Sequence, residues 1–147
     1  MFYTKVETFK SREMNKMDII KKINAFVGVD WSLDKINIDD ELKIYLLDDR
    51  GYQVTITCYS FIGFSLVGNW DESIIEYIKV EPEGDLITIS LQRIRQLHVN
   101  SPLSAEENMK IDSTWYQLNI KLIDGNVIKV ACEDFDFDFI QHKAQDS

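Results

Sequence analysis

The residues best suited to chemistry are concentrated in CEDFDFDF, Cys132 to Phe139, where Asp134, Asp136 and Asp138 alternate with three phenylalanines. In an extended strand such alternation sends the carboxylates to one face, about 6.8 Å apart from two rises of roughly 3.4 Å. A calcium site needs about 6–8 oxygens converging on one point, and carboxylates fanned along a strand diverge. The glycine-centred calcium-loop pattern is also missing from the sequence. Paired acid–base catalysis needs two carboxylates in unlike environments, whereas three neighbouring exposed aspartates all ionise. Two readings stay open. The stripe is either a solubilising edge that discourages strand-to-strand association or an acidic surface for a basic partner.

The other reactive side chains form no recognisable site. His98, in IRQLHVN, and His142, in the polar tail, read as surface residues, because neither is accompanied by a nucleophile signature. No phosphate-binding loop, dinucleotide fingerprint or His-Glu-x-x-His is found in the sequence. Cys58 and Cys132 lack the paired spacing of a zinc site and are expected as buried, reduced thiols. Trp70 and Asp71, in WDESII, are either a buried anchor with a capping carboxylate or a binding hot spot. No catalytic, metal or cofactor residues are expected.

The elements that must position these residues follow from periodicity. Met17, Ile20, Ile23 and Phe26 repeat at helical spacing, predicting an amphipathic helix closed near Gly28. Met17 also marks residues 1–10 as an extension contributing little core. From about residue 33 the period becomes two. LKIYLLDDRGYQVTITCYSF and LNIKLIDGNVIKVACEDF each read as a hairpin, and in each a cysteine follows the turn glycine by seven positions. The two form a weak internal repeat, and Asp124-Gly125 suits a two-residue type I′ turn. SIIEYIKV, Pro82-Glu83-Gly84 and DLITISL read as a third strand–turn–strand unit, with Ile87, Ile89 and Leu91 on one face. Ser104 and Glu107 form a capping box for a short helical turn at 105–110.

Parity adds a constraint on the hairpins. Ile128, Val130 and Cys132 are even, but Phe135, Phe137 and Phe139 are odd. If both sets face the core, the strand must break phase at Glu133-Asp134. Cys58 and Phe61 pose the same problem in the first hairpin. The expected fold is α+β and mainly antiparallel, a curled sheet or sandwich of hairpins with one N-terminal helix.

Bulk properties limit the function classes. With 147 residues and 45% hydrophobic content the chain fits one domain, residues 1–147, ending in a polar tail over 140–147. The net charge is −9, and residues 24–147 alone carry −12, because six of the 16 basic side chains but only three of the 25 acids lie in residues 1–23. Direct binding of nucleic acid is disfavoured, and basic proteins are the natural partners. No apolar run approaches the ~20 residues that cross a bilayer, and the charged start is unlike a signal peptide, so a cytoplasmic location is expected.

CYSFIGFSLVGNWDESIIEYIKV, WYQLNIKLIDGNVIKVACEDF and FVGVDWSLDKINIDDELKIYL together resemble the YxiG-like family of small Bacillus proteins, whose genes lie near that of a wall-associated contact-dependent toxin. The likeness spans most of the chain after Met17 and brings no catalytic motif. It implies an immunity-type role, in which the protein binds and blocks a toxin domain. Two alternatives belong to other classes. One is a small enzyme or ligand-binding domain with a pocket built from Trp31, Tyr59, Trp70, Trp115 and His98. The other is a scaffold that self-associates through a strand edge.

Overall fold

The computed structural model describes residues 16–26, 30–66, 73–97, 108 and 111–141. Its elements are helix α1 (Lys16–Ala25), strands β1 (Ser32–Ile38), β2 (Leu42–Leu47), β3 (Tyr52–Tyr59), β4 (Gly63–Ser65) and β5 (Ile75–Glu81), helix α2 (Asp85–Gln96), and strands β6 (Tyr116–Leu122), β7 (Val127–Cys132) and β8 (Asp134–Gln141). The strands form two antiparallel four-stranded sheets, ordered β1-β2-β3-β8 and β4-β7-β6-β5. The fold is α+β, and the N-terminal helix lies where its periodicity predicts.

Both predicted hairpins form, with Leu42 opposite Cys58 and Tyr116 opposite Cys132. Their turns share one geometry. Gly51 N–H donates to the Asp48 carbonyl at 3.3 Å and Asp48 N–H to that of Tyr52 at 3.2 Å; the equivalent bonds, Gly125 to Leu122 and Leu122 to Asn126, are 3.0 and 2.9 Å. Each loop therefore has three residues, ending in a glycine with φ of 92° or 97°. This corrects the two-residue type I′ turn expected at Asp124-Gly125. The extra residue lets a single left-handed glycine carry the reversal, where a type I′ turn needs two positive-φ positions.

The phase breaks are sheet crossings. After β3 the chain passes through Ser60, at a positive φ of 55°, and enters the second sheet as β4. After β7 it passes Glu133 and enters the first sheet as β8. The two crossings run side by side, with Glu133 N–H donating to the Tyr59 carbonyl at 3.3 Å and Ile62 N–H to the Ala131 carbonyl at 2.8 Å. One long ladder thus spans both sheets, and its register slips by one residue between the Tyr59↔Asp134 and Gly63↔Ala131 pairs. The internal repeat becomes structural here. Units β1–β4 and β5–β8 each build three strands of one sheet and give the fourth to the other.

Between the sheets lies the core, where Leu42, Ile44, Leu46, Val54, Ile56 and Cys58 meet Leu118, Ile120, Leu122, Ile128, Val130 and Cys132, all at most 1% exposed. Phe135 joins them from β8, and α1 adds Ile19, Ile20 and Ile23. Asn24 on α1 also holds the edge of β5, accepting from Val80 N–H at 2.6 Å and donating to its carbonyl at 3.2 Å. Both cysteines are buried free thiols.

The third strand–turn–strand unit is half corrected. SIIEYIKV supplies β5, but DLITISL opens α2. Its β-branched residues favour a strand, yet Ile87 and Ser90 are buried while Ile89 is 45% exposed, a helical period. Tertiary contact decides. Gln117, 2% exposed on β6, turns its Oε1 to accept Leu86 N–H at 2.9 Å and Ile87 N–H at 3.3 Å. Its Nε2 donates to Asp85 and Asn119 at 3.0 and 2.9 Å. Two orphan donors of the first helical turn are thereby satisfied from another element. Lys129, 2.7 Å from Asp85, together with Gln117 holds that carboxyl down at about 2. Helix α2 then covers the outer face of the second sheet, over Trp115 and Ala131.

Asn108, Ile111 and Asp112 are helical, in keeping with a turn near 105–110, while Ser104 and Glu107 lie outside the described residues, as do residues 1–10 and 142–147. Among the described residues no helix is long and apolar enough to cross a membrane.

Replacing Gln117 by leucine should cost about 1–3 kcal/mol, the penalty for stranding buried donors. Urea unfolding measures the loss, and hydrogen exchange should quicken at the amides of Leu86 and Ile87.

Candidate functional site: the open face of the first sheet

Because α2 covers the second sheet, the outer face of the first sheet is the broad β surface left uncovered among the described elements. The even residues of β2 and β3 point into the core, so the odd ones build this face. Register sets their rows: Asn37, Lys43, Thr57 and Asp136 in one, Lys35, Tyr45, Thr55 and Asp138 in the next. Beyond them Tyr59 stands opposite Asp134, and Glu41, one residue before the Leu42↔Cys58 pair, comes level with both. Two strand spacings separate Glu41 from Asp134, about 10 Å. The turn Asp39-Asp40-Glu41 and the aspartate stripe therefore meet at one end of one face. A hollow of about 260 Å³ lies there, lined by Asn37, Asp39, Asp40, Glu41 and Lys43.

The three aspartates are not equivalent. Asp134 Oδ1 accepts Phe135 N–H at 2.9 Å, and Asp136 Oδ1 accepts Phe137 N–H at 3.2 Å. Since β8 is an edge strand, these amides lie on its unpaired side, where a further strand would have to bond. Asp136 also accepts from the Tyr59 hydroxyl at 3.4 Å. Asp138 has its carboxyl pushed above the ordinary range, first by desolvation and then by the Asp136 charge, against a smaller opposing pull from Lys43. The stripe is thus a half-buried pair that closes the sheet edge, with Asp138 beside it an exposed residue whose carboxyl is partly desolvated. The phenylalanines face inward in a graded way, from buried Phe135 through half-buried Phe137 to Phe139, which is 54% exposed and edge-on to Trp31 at 6.0 Å.

The residues proposed for an enclosed pocket are dispersed. Trp31 is buried in the core between the sheets, Tyr59 stands on the open face, and Trp115 lies beneath α2. Trp70, Asp71, His98 and His142 lie outside the described residues. Among those described, no three His, Cys, Asp or Glu side chains are grouped to hold a metal. Burial and the adjacent Cys58 push the Cys132 thiol far up, the reverse of nucleophile activation. Sequence reasoning missed Lys35, Lys43 and Tyr45, whose outward parity was readable but whose alignment with the aspartates needs the β2-β3-β8 register.

Asp138 sets a pH dependence. A carboxyl whose folded pKa is raised favours the folded state when protonated, and that advantage fades as pH climbs through the folded value. Asp138→Asn should therefore be more stable than the parent near pH 7. In urea titrations the difference should close as pH falls below the ordinary carboxylate value of 3.8.

No protein-family model, curated protein or solved structure matches the chain.

Proposed function

We propose that this chain is a non-catalytic binding protein, an immunity-type inhibitor that blocks a basic toxin domain, in line with its resemblance to the YxiG-like family. The observation that carries the reading is the meeting of Asp39, Asp40 and Glu41 with Asp134 and Asp136 at one end of an uncovered sheet face, with Asp138 one row further along the same strand. On a chain of net charge −9, such a face draws a basic partner inward and raises its association rate. If the toxin is a nuclease, the same carboxylates stand where its substrate's phosphates would. Binding occludes the groove sterically, and no cofactor is involved.

The edge geometry narrows the mode of docking. With Phe135 and Phe137 amides already bonded to Asp134 and Asp136, a partner does not extend the sheet along this part of β8. It lies across the face and meets side chains.

Coexpression with each toxin domain encoded beside the gene identifies the partner. Changing Asp134, Asp136 and Asp138 together to asparagine then tests the face, because asparagine keeps an oxygen for the edge amides and removes only charge. The triple variant should fold as the parent does and associate about tenfold more slowly at low salt. Added salt should shrink the difference as the Debye length falls to about 3 Å at 1 M. Association of the folded variant at the parental rate in low salt would exclude these aspartates from the interface.

A further inference from the structure

The free edge of β5 is bonded from within the chain at both ends. Leu33 N–H donates to the Ser73 carbonyl at 2.8 Å and Ile75 N–H to the Trp31 carbonyl at 2.9 Å, while Val80 exchanges two hydrogen bonds with Asn24. Because β5 is an edge strand paired with β6, the Val80 groups that meet Asn24 point away from the sheet. In a regular antiparallel ladder that outward set recurs every second residue, so the N–H and C=O of Ile78 point the same way. The register slips between Ile75 and Tyr77, outside this stretch. Neither main-chain group of Ile78 has a partner among the described residues.

A hollow of about 500 Å³ opens at this point, lined by Asn24, Tyr77, Ile78, Lys79, Glu81 and Asn119. Ile78 is 5% exposed, with its side chain in the core, so it meets the hollow with its main chain. Tyr77 is 43% exposed and offers its ring, while Lys79 and Glu81 lie 3.6 Å apart and largely offset each other's charge. A donor and an acceptor side by side on a strand edge are matched by an amide. At the next outward position the chain itself makes that match, since the Asn24 carboxamide accepts from Val80 N–H and donates to its carbonyl.

Geometry limits what fits. Ile75 and Val80 are both engaged, and the five residue steps between them span roughly 16 Å, which leaves room for about three residues of an extended chain. A residue paired with Ile78 turns its side chain to the face that Ile78 uses, where the core and α1 are already packed. Glycine fits there. Its two neighbours turn outward, to the face that carries Tyr77 and Lys79.

We propose that this gap is a binding site for a short extended peptide segment of another protein, with a glycine paired to Ile78 and an apolar neighbour lying on the ring of Tyr77. The site lies on the second sheet, apart from the aspartate face, and its recognition is through main-chain bonds rather than charge.

The test uses the full chain, isotopically labelled for NMR, with the acetylated and amidated peptide Leu-Gly-Leu and a second peptide in which N-methylglycine replaces the glycine and removes its N–H. In the free protein the Ile78 amide should exchange with solvent faster than that of Lys79, which is paired with Asn119. With Leu-Gly-Leu at ten times its Kd, Ile78 exchange should slow about tenfold. Tyr77→Ala should weaken the peptide about fivefold with unchanged far-UV circular dichroism. The N-methylated peptide should leave Ile78 exchange unaltered. The proposal is overturned if Leu-Gly-Leu does not slow Ile78 exchange, if the N-methylated peptide slows it equally, or if the Ile78 amide is already protected in the free protein. Protection that rises with protein concentration alone would also overturn it, by assigning the edge to a second copy of the chain.

Discussion

The architecture depends on the paired crossing at Ser60 and Glu133, where two strands leave one sheet and enter the other side by side. A strand has only two faces, so a chain that must put both Cys132 and Phe135 into one core cannot continue straight. A one-residue slip in the ladder resolves the conflict once for both strands, since each crossing supplies the other's hydrogen-bond partners. The shared core, the exchanged fourth strands and the placement of β8 at an edge follow from that slip.

Much of this was legible as parity. The hairpins, the phase breaks and the burial of both cysteines could be read from alternation, because the side-chain period of a strand is independent of what it packs against. Helix α2 was not legible. The run Ile87, Thr88, Ile89 carries strand propensity, and the amide that fixes the helix start belongs to Gln117, thirty positions away from Ile87. Local sequence could not reveal a cap supplied by another element. The open face was half legible, since outward parity identifies Thr57 and Lys43, whereas their alignment with Asp136 depends on a long-range pairing.

The aspartates, first met as alternatives, have a divided role in the fold. Asp134 and Asp136 close the exposed side of β8 by taking its amides, while Asp138 stands out from the same strand with a carboxyl raised by its surroundings. Edge protection and charge display are compatible here, because an aspartate that accepts one amide keeps its negative charge and further lone pairs.

The exchange of fourth strands also governs how the chain reaches its fold. Residues of β3 pair with partners on β8 between 75 and 89 positions later, so loop closure for the first sheet waits on the last of these eight strands to be synthesised. Until then β3 is an edge without its neighbour, presenting Val54, Thr55, Ile56 and Thr57 to the cell. Its protection arrives with the strand that carries the aspartates. The interval of greatest aggregation risk is therefore set by the order of synthesis, and it ends when β8 docks.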